Sequence, residues 1–147
     1  GKKLSKEQKA YLASVQTQQY YVIGGTSAVS VALAKEVEAY GAVKRIGGST
    51  RYQTSVMVAE QFFNNATSAV VAYGRNFPDG LCGGPLAYAM EAPLILTENS
   101  KAADAVAFTT TRKIASGVVL GGAGLVSNET TQKIFNLLNE DEIIVKQ

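Results

Sequence analysis

The chain has 147 residues, 46% of them hydrophobic and 18% charged, with a net charge of +2. That length and balance fit a globular domain with a real core and exclude a disordered, fibrous or linker-like protein. No apolar run nears the roughly 18 residues of a membrane span, and the charge is too small to mark a nucleic-acid binder, so neither partner is expected.

There is no histidine and a single cysteine, Cys82. An internal disulfide is therefore excluded, as are Cys/His metal sites and nucleophiles that need a histidine base. A carboxylate or lysine enzyme stays open on this ground alone. No metal and no cofactor is expected. Gly1 can be a cloning remnant, so the lack of a secretory signal says little about location.

Residues 5–16 start on a Ser able to cap a helix. Residues 20–23 (YYVI) read as a strand. Thr26 or Ser27 then caps a helix that Gly41 is placed to end. Residues 43–46 (VKRI) form a short strand. From Thr50, Val56, Ala59, Phe62 and Phe63 recur at helical spacing. Residues 69–73 (AVVAY) are apolar throughout, which places this strand at a sheet centre.

A helix with many small residues follows at 79–90, and Pro85 predicts a kink or break in it. Residues 93–97 (PLILT) are a strand, 101–114 a helix, 117–120 (GVVL) a strand and 128–139 a helix capped by Ser127 or Asn128. Residues 142–145 (EIIV) close the series as a strand. Strands alternating with helices of this length argue for βαβ units and a mainly parallel sheet, an α/β fold.

Two stretches repeat. YVIGGTSAVS (21–30) recurs as VVLGGAGLVS (118–127), with the glycine pairs 97 residues apart. SKEQKA (5–10) precedes the first copy and SKAADA (100–105) the second. Residues 1–42 thus read as the C-terminal half of one repeat (helix, strand, helix), and residues 43–147 as one complete repeat. On this reading the sequence is a fragment of a tandem array that packs as one compact α/β domain.

The glycine pairs sit after a strand and before a helix, as phosphate-binding turns do. Neither copy has the third glycine of G-x-G-x-x-G, and no G-x-x-x-x-G-K-[ST] occurs. The favoured reading of Gly24, Gly25, Gly121 and Gly122 is a tight βα turn, with Gly47 and Gly48 forming another. RIGGSTRYQTS (45–55) is the most distinctive stretch. Arg45, Arg51, Tyr52 and Thr54 suit an anion, or else Arg51 locks two elements by pairing with Asp79. GRNFPDG (74–80) adds Arg75, Asn76 and Asp79 at the carboxyl end of the central strand, where α/β folds place ligands. Asp79 serves equally as the cap of the next helix. Cys82 is expected to be buried and inert.

RIGGSTRYQTSVMVAEQF, YGRNFPDGLCGGPLAYAMEAPLILT and VVLGGAGLVS, in that order, resemble the type 2 cell-wall-binding repeat of Gram-positive surface proteins. The resemblance covers residues 43 to about 140, and residues 5–41 resemble the tail of a preceding repeat. Departures are Thr50, where acidic residues are frequent, Ser55 and Gly80, where alanine is usual, and Cys82 in place of a small residue.

The resemblance implies a Toprim-like module, three of which assemble with pseudo-threefold symmetry. It implies non-covalent anchoring to an anionic cell-wall polysaccharide, extracellular location, and catalysis confined to other domains. Neighbouring copies of the repeat would be partners. The family's anchoring motif falls on Leu94, Ile95 and Leu96, expected to be buried strand residues. Polymer contacts would come from Arg45, Arg51, Tyr52, Thr54, Arg75, Asn76 and Asp79. A structural trimerisation module and a nucleotide- or sugar-phosphate-binding domain are the alternatives.

Overall fold

A computed structural model describes residues 3–15 and 17–144. Helix α1 (Lys6–Ser14) opens on Ser5, whose hydroxyl accepts from the Gln8 amide while Gln8 Oε1 accepts from the Ser5 amide. This reciprocal box satisfies two otherwise orphaned donors. Strand β1 (Gln19–Ile23), helix α2 (Val31–Glu38) and strand β2 (Ala42–Ile46) follow. The chain then runs through α3 (Arg51–Phe62), β3 (Ala69–Tyr73), α4 (Phe77–Ala89) and β4 (Leu94–Thr97). It ends in α5 (Ala103–Arg112), β5 (Gly117–Leu120) and α6 (Asn128–Phe135).

All the pairings are parallel and helices flank them, as the sequence predicts. The strands form two sheets, β1–β2 and β4–β3–β5. β1 and β2 run in register from Gln19 against Ala42 to Ile23 against Ile46. β2, which the sequence divides from β1 at residue 42, pairs among the described residues with β1 alone.

β3 can be apolar on both faces because both are covered. Ala69 and Val71, with Ile95 of β4, pack against Val56 and Ala59 of α3, Phe108 of α5 and Ile134 and Phe135 of α6. Ile95 is 0% exposed, and burying such a side chain is worth about 2 kcal/mol. The pleat turns Leu94 and Leu96 to the other face, where α4 lies. Gly83 of α4 sits so close that a Cβ there would come within 2.8 Å of Leu94 Cδ1. α3 also reaches the first sheet. Its Phe62 meets Tyr21 of β1 edge-on at 4.8 Å, and its Gln61 accepts from Lys44 of β2.

Several local expectations give way. α2 is capped by Ser30, not Thr26 or Ser27, because residues 24–29 are spent on the turn. That helix ends at Glu38 with Ala39 as its cap, ahead of Gly41. α4 starts at Phe77 behind Asn76, so Asp79 lies inside the first turn instead of capping it. Pro85 does not break α4. It removes one amide, and the Leu81 carbonyl that would have used it is on an exposed residue, open to water. Cys82 is exposed. The expected last strand is absent from the described residues: Glu140–Glu142 form a 3-10 turn and Val145 lies outside the description.

Candidate functional site

Because the strands are parallel, their carboxyl ends gather the turns. β1 leads into Gly24-Gly25, β2 into Gly47-Gly48, and β3 into Gly74-Arg75-Asn76. The first two turns touch. A Cβ on Gly47 would lie 2.4 Å from the Gly24 carbonyl carbon, so only glycine fits there. Gly24 itself has φ of +119°, a conformation other residues adopt at a cost.

Beyond these turns an open groove of about 1230 Å³ runs between α3 and α4 over Leu94 and Leu96. Its polar end carries Ser49, Thr50, Arg51, Arg75 and Asn76. The amino ends of α3 and α4 also meet here, and each presents amides that favour an anion. The other end is apolar, with Phe63, Leu81, Tyr88 and Leu94.

The candidate residues separate into distinct roles. Arg45 lies outside the groove lining, and its Nη1 donates to the Gly24 carbonyl at 2.6 Å and its Nη2 to the Ser30 carbonyl at 3.4 Å. Arg51 Nη1 donates to the carbonyls of Gly74 at 2.8 Å and Arg75 at 3.3 Å, not to Asp79. It therefore does lock α3 to the end of β3, but through backbone oxygens. Thr54 Oγ1 accepts from the Gly48 amide at 3.0 Å and donates to the Thr50 carbonyl at 2.8 Å, fixing the turn before α3.

Tyr52 points the other way. It is buried, and its ring occupies the space beside Gly74. Burial first, and then the nearby Glu98 carboxylate, raise the pKa of its hydroxyl. Asn76 is exposed and its side chain makes no cap bond, which leaves its amide free for a ligand. Asp79 is half-buried, near Gly121, and is not part of the groove lining. Of the anchoring-motif strand, Ile95 is in the core, while Leu94 and Leu96 are half-buried and floor the groove.

Sequence reasoning missed Glu98. It is buried at the end of β4, where Arg75 Nε donates to its Oε2 at 2.6 Å and Ser100 Oγ to its Oε1 at 3.3 Å. The Arg75 bond holds its pKa below the usual carboxylate range against the opposing effect of burial. Its place after a strand, at the carboxyl end of a parallel sheet, was the available signal. Gln53 was also missed, and its Oε1 accepts from the Ser49 amide at 2.7 Å.

Ser55, a departure from the family pattern, accepts from the Leu96 amide at 3.0 Å and so closes one donor on the outer edge of β4. Phe77, Leu81 and Tyr88 of α4 are 77%, 67% and 88% exposed, an apolar stripe whose helical spacing was visible in the sequence.

Residues 45–131 match the family model for cell wall binding domain 2. The N-acetylmuramoyl-L-alanine amidase LytC of Bacillus subtilis (strain 168) is 36% identical over 100 residues, covering 65% of this chain and 19% of that protein. The amidase enhancer of the same organism is 36% identical over 101 residues, 69% of this chain and 14% of its own length. Among solved structures, Cwp8 from Clostridium difficile superposes with a TM-score of 0.77 at 26% identity, over 90% of this chain and 24% of that one. Cwp6 from Clostridium difficile has the same fold, with a TM-score of 0.73 at 19% identity, over 92% of this chain and 22% of its own. The chain thus spans less than a quarter of each of these proteins.

Proposed function

The chain belongs to the cell wall binding domain 2 family of cell-surface proteins, which puts it at the cell wall, and from that premise we propose that it is a non-catalytic anchoring module for an anionic wall polysaccharide. The observation that carries the reading is the groove. An open trough of about 1230 Å³ suits a length of polymer better than one small molecule. Two helix amino ends, the exposed Arg75 and the uncommitted amide of Asn76 offer donors to a phosphate or carboxylate. Exposed Phe77 and Tyr88 offer flat apolar faces to sugar rings.

The arginines argue for modest affinity per site. Arg45 and Arg51 already serve backbone carbonyls, and Arg75 is paired with Glu98. A single groove would then hold the polymer weakly, and several modules in a row would supply avidity. Neighbouring copies of the repeat are the partners this requires. Catalysis would belong to other domains of a parent protein.

The test is retention of the full 147-residue chain on purified cell walls, before and after the anionic polymer is stripped. Binding should fall at least about ten-fold on stripped walls. Equal retention on stripped walls would overturn the proposal. Asn76→Ala, which removes no internal bond, should weaken retention without lowering the melting temperature.

A further inference from the structure

The two glycine turns have one backbone and different neighbours. Gly24 and Gly121 have φ of +119° and +131°. Ser30 caps α2 and Ser127 caps α6, each by accepting an amide three residues on. Even the helices coincide, Val31–Glu38 and Asn128–Phe135 being 97 residues apart at both ends.

The first turn is clasped from the β2 side. The Gly24 amide donates to the Ile46 carbonyl at 2.7 Å, and Arg45 donates to the carbonyls of Gly24 and Ser30. The second turn is held from the opposite side. Asn99 Oδ1 accepts from the Ser127 amide at 2.7 Å and from Thr130 Oγ1 at 3.0 Å, and the Asn99 amide donates to the Leu125 carbonyl at 3.3 Å.

What the first turn receives from β2, the second does not receive. Among the described residues, neither the amide nor the carbonyl of Gly121 has a hydrogen-bond partner. Among the described residues β5 pairs with β3 alone, on one edge. A Cβ on Gly122 would meet nothing, whereas one on Gly25 would meet the Gly48 carbonyl at 3.2 Å. The residue 97 positions after Arg45 is Glu142, a carboxylate that cannot donate to the Gly121 carbonyl as Arg45 does to Gly24.

We propose that the free edge of β5 and the Gly121 turn form a socket for the opening strand of a further repeat. The occupant is a parallel strand with the chemistry of β2: alternating apolar residues, an arginine, one more apolar residue and then Gly-Gly. The β1–β2 pair supplies its register. Arg45 stands against Val22 and Ile46 against Ile23, so the incoming arginine stands against Val119 and the residue after it against Leu120. Its guanidinium donates to the carbonyls of Gly121 and Ser127, as Arg45 does to Gly24 and Ser30. The incoming Gly-Gly then closes over Gly121 and Gly122, where a side chain would collide. This socket concerns how repeats join and does not depend on polymer recognition.

The experiment is titration of the full chain with a labelled peptide of residues 41–50, GAVKRIGGST. Saturable binding is expected, with amide shift changes confined to Gly117–Ser127. The peptide carrying Arg45→Ala should bind about ten-fold more weakly, since charge-assisted bonds are lost. No binding at millimolar peptide, equal binding of the alanine peptide, or shifts centred on β1 would overturn the proposal. So would a doubled solution mass of the chain alone in which the same β5 amides shift. That result would mean that a second copy donates its own β2.

Discussion

The turn GGTSAVS at 24–30 and the turn GGAGLVS at 121–127 are the same device in two settings. Glycine at positive φ and a serine cap give both the same path. What holds each in place differs. The first is gripped by the strand that follows it, through Arg45 and the close approach of Gly47. The second is gripped by the segment that precedes it, through Asn99. The shape of a βα turn is thus local and written in a few residues, while its rigidity is contributed by whichever neighbour the chain brings alongside.

The largest expected effect tests how tightly the first turn is sealed. Gly47→Ala forces a methyl into the Gly24–Gly25 backbone, which cannot move without unpairing β1 from β2. The loss should be about 3 kcal/mol in denaturant unfolding. A result below about 0.5 kcal/mol would show that the turns are not in contact. Arg45→Ala comes next. It removes two charge-assisted bonds to carbonyls and should cost about 2 kcal/mol. Amide exchange should speed at Ala28 and Val29 but not at Leu125 and Val126. Equal acceleration in both turns would erase the distinction drawn between them.

Ser55→Ala should cost about 1 kcal/mol, because the Leu96 amide loses its acceptor at the edge of β4. The smallest change is Gly122→Ala, expected to stay within about 0.5 kcal/mol, because nothing lies near the added carbon. A cost like that of Gly47→Ala would mean that the second turn is sealed too.

Acid should also separate the two turns. Folding lowers the Glu98 pKa, so the native state binds that proton less tightly than the unfolded chain does. Its contribution is complete above the ordinary carboxylate range and is lost as pH falls through the lowered value. Glu98 adjoins Asn99, which holds the second turn, whereas the grip on the first turn contains no carboxylate. Amide exchange at Leu125 and Val126 should therefore accelerate in acid before exchange at Ala28 and Val29. Glu98→Gln should remove that difference.

Five strands were legible in the sequence as short β-branched or leucine runs, four of them ending at or beside a glycine, whereas the run at 142–145 has the same composition and forms no strand among the described residues. Residues 69–73 were placed at a sheet centre, and the structure covers both faces of β3. The capping residues were less legible. TSAVS offers several hydroxyls, and only the length of the turn decides that Ser30 is the cap. Asp79 read as a cap from its residue type, yet the helix starts two residues earlier, where proline suits a first turn that needs no amide.

The site was partly legible. Arg51, Arg75 and Asn76 do line one groove, but Tyr52 is turned inward and Arg45 is spent on a turn. Tyr52 shares the buried face of α3 with Val56 and Ala59 at i, i+4 and i+7, a periodicity that extends beyond the short motif and was the available signal. The split into two sheets was not legible, since periodicity identifies strands and says nothing about which edges meet.

The uniform strand direction has a mechanical consequence. In a parallel pair, tension entering at the start of the first strand leaves from the end of the second, at opposite ends of the ladder. Pulling on Gln19 and Ile46 therefore slides β1 along β2 and loads the whole register from Gln19–Ala42 to Ile23–Ile46 together. The same geometry holds from β3 to β4 and from β3 to β5. A chain strung from strands of this kind resists stretching by shear and does not open one bond at a time.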